Sequence, residues 1–569
     1  MNWEFTWPVP ENINVPAHKA NRGVAILGET LYLGTLDAHL VALDARTGQQ
    51  KWAVQVADYR QYYSITAAPL IVKDMVITGA AGGVFDTRGF INAYDANTGE
   101  LRWRFYTVPG TGEPGNETWE GDSWKVGGAA AWLTGTYDSA LDLIYWGVGN
   151  PNPPWTGDRR KGDNLYSASV VALHASTGKL KWYYQFTPHD VHDWDACQIP
   201  VLVDLRFSGT ERKLLLMANR NAFFYVLDRE NGELLLAQEY ARQNWADGID
   251  ANGRPIVRPN TAPSYEGSLV SPTAGGGTSW WSPSFSPNTG LFYVTARDGE
   301  EIYKVPKVEK WPTQEERLKI MEKSTRQINQ ENELSTVRAL VPETGELKWE
   351  FKLPRKSTAG VLTTAGDILF AGSATSEFWA LDAFTGIPLW RSQIQGWIHT
   401  APITYMSEGS QFVTIASSKG IYTFGLGNEA DFREDKWQLS TQEGSRAHLV
   451  FPPDNLQMVR IAIEKAETDV PWHIQLSQPH LSVKSGQRYA VRFRARADGP
   501  RSVTLGFSQA HPPWEGLGLY KKLELTSAWQ SFDMAFVTTS DEDNARIRFD
   551  LGGSDISVEV SDVSLQITQ

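Results

Sequence analysis

A single cysteine, Cys197, stands in 569 residues. One thiol excludes an intrachain disulfide, a four-thiolate zinc site and the cysteine pair of a c-type haem attachment. Cationic excess is missing too: 53 Lys and Arg face 66 Asp and Glu, a formal charge of −13. A nucleic-acid partner requires the opposite balance, because a basic face must replace the counterions of the polyanion. No run of about 18 apolar residues exists to span a bilayer as a helix. Met1 to Asn14 also lacks the basic start and apolar stretch of an export signal.

What is abundant points to many short strands joined by turns: 23 Trp and 20 Tyr accompany 49 Gly and 30 Pro. With 41% hydrophobic and 21% charged residues, the chain has the balance of a folded soluble protein. At this length it holds either several domains or one large repeat with an appendage.

A repeat is present. The pattern Ala-Leu-Asp-Ala-x-Thr-Gly-x-x-x-Trp recurs at Ala42-Leu43-Asp44 with Gly48 and Trp52, at Ala93-Tyr94-Asp95 with Gly99 and Trp103, and at Ala172-Leu173-His174 with Gly178 and Trp182. It returns at Val226-Leu227-Asp228 with Gly232 but no Trp, at Ala339-Leu340-Val341 with Gly345 and Trp349, and at Ala380-Leu381-Asp382 with Gly386 and Trp390. Each copy reads as strand, tight turn, strand. One hairpin cannot bury both faces, and uneven spacing argues against a β-helix, so radial stacking into a propeller is expected, with each Trp packing between blades. Pro312 to Glu333, rich in Glu, Lys, Gln and Arg, reads as a solvated helical insertion.

After Gly425-Leu426 the signature stops. The expected organisation is a propeller over 1–426, a polar linker over 427–436, and a β-sandwich over 437–569, where Tyr489 to Ala495 and Arg546 to Leu551 alternate apolar and polar residues.

The densest polar constellation is Thr187-Pro188-His189-Asp190-Val191-His192-Asp193-Trp194-Asp195. On an extended segment Asp193 and Asp195 face one side and can serve one site, as base and as metal ligand. The same residues also read as a solvated loop with turn-capping carboxylates. Composition does not choose between them.

Residues 15 to 426 resemble the PQQ-dependent (quinoprotein) alcohol dehydrogenases, through Ala20-Asn21-Arg22-Gly23, Tyr145 to Pro151, the Thr187 to Asp195 segment, Asn219-Arg220-Asn221 before Phe223-Phe224-Tyr225, and Gly276-Gly277-Thr278-Ser279-Trp280. The resemblance implies an all-β fold of the eight-bladed propeller type with its first blade incomplete. It also implies a pyrroloquinoline quinone (PQQ) cofactor and a Ca2+ or lanthanide ion. Carried over, Asp193 is the general base; Asn150, Asp193 and Asp195 attend the metal; Arg22, Thr66, Arg220, Ser279 and Trp280 attend the quinone, and Trp132 stacks on its plane. A flat trianionic quinone needs an aromatic floor, cationic partners and a cation beside its reactive carbonyl. The implied substrate is a primary alcohol or sugar hydroxyl, the implied electron acceptor an external cytochrome c or similar carrier, and the implied compartment the periplasm.

The chain departs from the family at several places. Pro16 and Ala17 stand where a vicinal cysteine pair lids the cofactor, and Val84 where a metal-binding Glu is usual, with Asp86 close by as a substitute carboxylate. Ala130 replaces a Thr, and Thr358 replaces a Trp before Ala359-Gly360. Losing one anionic ligand weakens a hard-cation site. A degenerate, non-catalytic propeller serving as a carbohydrate-binding or scaffold protein is therefore the competing expectation.

The C-terminal part resembles carbohydrate-binding modules of the family 4/9 type, through Trp472 to Leu476, Ser485 to Tyr489 and Asp562 to Leu565. Trp472, Gln475, Trp514 and Tyr520 are the expected sugar contacts, because pyranose faces stack on rings and amides bond hydroxyls. Both Trp also read as packing residues. A polysaccharide is the partner this implies.

Overall fold

The computed structural model describes residues 3–11, 13, 20–305, 327–328, 334–407, 410–425, 437–451, 458–467 and 469–567. The expected linker, and the expected helical insertion apart from the short strand Gln327–Ile328, lie outside the described residues, as do Pro16 and Ala17. Two compact units divide the chain, one of Met1–Ile403 with Thr414–Tyr422, the other of Thr404–Val413 with Thr423–Gln569.

The first unit is an all-β propeller. Against the eight blades of the family type, the described residues of this unit supply six four-stranded antiparallel sheets. The repeat signature spans the turn between the third and fourth strands of each blade. In the first, His39–Asp44 ends on Asp44, whose Oδ1 accepts the N–H groups of Arg46 and Thr47 at 3.0 and 2.9 Å. Gly48 then takes φ 72, a left-handed conformation that side chains resist, and the chain reverses into Gln50–Gln55.

The tryptophans tie neighbouring blades together. Trp52, Trp103, Trp182 and Trp349 donate their indole N–H to the carbonyls of Ala96, Ala175, Arg229 and Ala383, at 3.1, 2.9, 3.1 and 3.0 Å. Each ring also lies on the turn glycine of the following copy, Gly99, Gly178, Gly232 and Gly386. Where the fourth copy lacks its Trp, Gln238 and Leu236 cover Gly345 instead. Trp3, outside any copy, covers Gly48 and donates to Ala45 at 3.0 Å.

The second unit is a sandwich of two five-stranded sheets. One runs Gln438–Thr441, Ile474–Val483, Glu542–Asp550, Arg501–Gln509, Gly516–Leu525. The other runs Arg446–Val450, Met458–Lys465, Val558–Ile567, Arg488–Ala497, Gln530–Val537. Alternation sends Leu476, Phe493, Leu505, Phe507, Ile547 and Phe549 into the shared core.

Candidate functional site

The segment carrying Asp193 and Asp195 is an interior loop between the strands Leu180–Gln185 and Val201–Phe207. Asp190, His192, Trp194 and Asp195 are all buried, which corrects the solvated-loop alternative. Asp190 nucleates the turn: its two carboxylate oxygens accept the N–H groups of His192 and Trp194 at 3.0 and 2.9 Å. The buried Arg160 donates Nη2 to the Asp190 carbonyl at 2.6 Å. His192 stacks on Trp194 with centroids 4.2 Å apart, and its Nε2 meets the Thr261 carbonyl at 2.7 Å. Between these anchors Asp193 is held at φ 66. Burial pushes the Asp190 carboxyl up to about 6 and the His192 imidazole down to about 4.

Arg220 gathers the polar site. Its Nη1 donates to the Asp193 carbonyl at 2.6 Å and lies 3.0 Å from Asp195 Oδ2; its Nη2 donates to Ser279 Oγ at 3.1 Å. Burial works against the guanidinium charge, yet Asp195 and Asp193 leave its pKa raised. The other Asp195 oxygen, Oδ1, accepts the Asn150 backbone N–H at 2.8 Å. Asn150 turns its amide nitrogen onto the Pro151 carbonyl at 3.0 Å. Asn150, Asp193, Asp195, Arg220 and Ser279 thus come together.

The remaining expected residues form a second group. The Arg22 guanidinium lies between two indoles, 5.0 Å from the Trp132 centroid and 4.9 Å from that of Trp280. Its backbone N–H and Nη1 both donate to the Thr66 carbonyl, at 3.1 and 3.3 Å, and Thr66 Oγ1 donates to the Trp132 carbonyl at 3.1 Å. Arg22 Nε is buried with no hydrogen-bond partner among the described residues. Cys197 stands between the groups: its buried thiol, pushed well up by burial, feels the charges of Asp195, Arg220 and Arg22.

Two cations near Arg220 escaped the sequence reading. Arg297 is buried on the strand Leu291–Asp298 and lowered to about 10, by burial and then by the charge of Arg220. Lys356 is lowered to about 8, by burial and then by the charge of Arg297. An Arg in a strand otherwise built of core residues was a readable signal; Lys356, in Pro-Arg-Lys-Ser, is exposed by area, and nothing in its own stretch of sequence points to Arg297. Cations that repel one another, Arg297 among them buried, suit a multiply charged anion. A half-buried indole floor and the orphaned Arg22 donor suit a flat one.

The oxygen donors for a hard cation are fewer. Among the described residues no three His, Cys, Asp or Glu side chains converge. Val84 is half-buried in the loop beside Ala130, against which Gly83 packs so closely that a Cβ there would lie 3.0 Å from the Ala130 methyl. Asp86 Oδ1 accepts Asn152 Nδ2 at 3.0 Å. Thr358 Oγ1 is 2.6 Å from His399 Nδ1.

These geometries meet three family models. Residues 53–242 match a glucose/ethanol/alcohol dehydrogenase β-propeller domain, 333–487 an outer membrane protein assembly factor BamB model, and 430–557 a carbohydrate binding domain. A quinoprotein alcohol dehydrogenase of Pseudomonas putida is 37% identical over 74% of this chain and 74% of its own length. The chain belongs to the quinoprotein alcohol dehydrogenase family. A quinohemoprotein alcohol dehydrogenase of the same species is 38% identical over 70% of this chain, which spans 60% of that relative's length. A europium-containing methanol dehydrogenase structure is 32% identical, with TM-score 0.68 over 74% of this quinoprotein and 77% of that chain.

In the sandwich of this family member, Trp472, Trp514 and Tyr520 are exposed, at 47%, 48% and 69%. None of the three is part of the buried sandwich core. Gln475 is buried and committed to protein partners: Nε2 donates to Asp550 Oδ1 at 2.6 Å, and Oε1 accepts Arg546 Nη1 at 2.9 Å.

Proposed function

We propose that this chain is a PQQ- and metal-dependent dehydrogenase that oxidises a primary alcohol or a sugar hydroxyl and passes electrons to an external acceptor such as cytochrome c in the periplasm. The observation that carries the reading is Arg220, whose guanidinium joins the Asp193 carbonyl, Asp195 Oδ2 and Ser279 Oγ beside the Arg22–Trp132 stack.

Trp132 and Trp280 would hold the quinone plane, with Arg22, Thr66, Arg220, Ser279, Arg297 and Lys356 at its polar edge. Asn150 and Asp195 would hold the Ca2+ or lanthanide ion, with Asp193 beside them. When bound, PQQ would supply the two-electron acceptor for the hydride equivalent that leaves the alcohol carbon. Asp193 takes the hydroxyl proton on its carboxylate, while its backbone is fixed through the Asp190 turn and the Arg220 contact. Arg220 also orients Asp195, and the ring of buried aromatics around Trp194 excludes water from the loop behind it. The domain at 430–557 is proposed to bind a polysaccharide through its exposed rings.

Reconstitution of the full chain with PQQ plus calcium or a lanthanide, followed by quinone absorbance and dye reduction, tests the enzyme. Asp193→Ala should retain quinone absorbance and lose dye reduction. Failure to take up the quinone under every metal overturns the reading. It would leave the second one, a non-catalytic propeller serving as a carbohydrate-binding or scaffold protein, which Val84 in place of a metal-binding carboxylate favours. Glycan binding that survives Asp193→Ala, with no redox activity in the wild type, would support that alternative.

A further inference from the structure

The outer face of one sandwich sheet sets two guanidiniums beside exposed aromatic rings. Cross-strand register aligns Ser477, Arg548, Gly506 and Tyr520 in one row, and Gln475, Asp550, Thr504 and Lys522 in the next. Arg546 stands opposite Ser508 on the same face, since residues two apart on a strand share a side. Two guanidiniums therefore project side by side from the strand Glu542–Asp550.

Each guanidinium is paired with an exposed ring. Arg546 lies 4.7 Å from the Trp514 centroid, and Arg548 lies 5.7 Å from that of Tyr520. The absence of a side chain at Gly506 lets Arg548 cross the sheet: a Cβ there would come 2.8 Å from its Nε. That Nε is buried and has no hydrogen-bond partner among the described residues. Lys522 faces Glu524 at 3.8 Å. Asp550 is almost wholly buried, lies 3.6 Å from Arg548 Nη1, and receives the Gln475 amide. One buried carboxylate, Asp550, thus feels two guanidiniums edged by aromatic rings, while Glu542 of the same strand is taken by His511.

We infer that the sandwich binds an acidic glycan, one whose sugar rings stack on Trp514 and Tyr520 and whose carboxylates are taken by Arg546 and Arg548. Guanidinium and carboxylate match as a bidentate pair, and the neighbouring rings supply the stacking surface that a pyranose requires. The inference rests on the proposal that this domain binds carbohydrate, and it names the class of sugar: a chain bearing uronic acids.

Affinity electrophoresis and calorimetry of the full chain separate the two claims. The probes are an oligogalacturonate, the same oligomer with its carboxyls reduced to alcohols, and a neutral glucan oligomer. The expected result is binding of the oligogalacturonate at least ten-fold tighter than of either neutral probe, weakened by salt. Arg548→Gln and Arg546→Gln should each remove most of that preference, with unfolding midpoints confirming that the sandwich is folded. Tyr520→Ala should weaken all sugar binding without changing the preference. Equal binding of reduced and unreduced oligomer overturns the acidic-glycan inference and leaves the carbohydrate reading standing. Binding of no probe overturns both.

Discussion

Gly149 and Asp195 are in contact so close that neither position has freedom: a methyl group at 149 would stand 2.5 Å from Asp195 Oδ1. The missing side chain is what allows that carboxylate to reach the Asn150 N–H. Gly149→Ala should displace Asp195 and cost about 1–3 kcal/mol of stability by overpacking. Dye-reduction rates after reconstitution should fall at least ~10-fold, and a denaturant titration measures the stability. Unchanged rates would remove Asp195 from the proposed site.

Asp190 and His192 give the propeller opposing pH dependences. The folded state raises Asp190 to about 6, so its contribution is complete below about 3.8 and is lost as pH rises through 6. His192 is lowered to about 4, so its contribution is complete above about 6.5 and is lost as pH falls through 4. Each shift corresponds to roughly 3 kcal/mol. Unfolding midpoints from pH 4 to 7 should show Asp190→Asn gaining on the wild type as pH rises. A constant offset between the two would refute the assignment.

Partial burial, and then the charge of Arg297, lower Lys356 to about 8, so its positive charge fades as pH rises through that value. If it faces the quinone, affinity for PQQ weakens as pH rises through that value, and Lys356→Met removes the dependence. Arg297→Gln should raise the Lys356 pKa, because the repelling charge is gone, moving the affinity loss to higher pH. Tryptophan quenching by PQQ across pH 6 to 10 reads both effects.

Restoring a carboxylate at Val84 should strengthen the cation site, since affinity for hard ions follows the charge of their oxygen ligands. Val84→Glu is expected to tighten calcium or lanthanide binding about ten-fold or more, read by metal titration with PQQ present. No gain would mean that the loop at Gly82–Arg88 does not line the cation site.

Trp103 and Gly178 act as one joint between blades. The indole N–H bonds the Ala175 carbonyl at 2.9 Å, and a Cβ at 178 would lie 2.4 Å from the ring. Trp103→Ala should cost about 3–5 kcal/mol. Gly178→Ala should cost part of the same energy, and the double variant less than the sum, because both remove one contact.

The sequence by itself determined the repeat, since Asp, Thr-Gly and Trp at fixed offsets are local demands of a tight turn and the strand after it. It determined too which types of residue could serve a quinone site, because motif residues such as Arg22, Asn150, Asp193 and Arg220 are legible one by one. Only the tertiary structure decided the environment of those residues: that the His-Asp loop is interior, that Asp195 pairs with Arg220, and that Arg297 and Lys356 join the cationic cluster. It also decided that Gln475 serves Asp550 and Arg546. Burial and pairing depend on residues far apart in the chain, whose approach is set by blade stacking and sheet register. No short stretch of sequence encodes either.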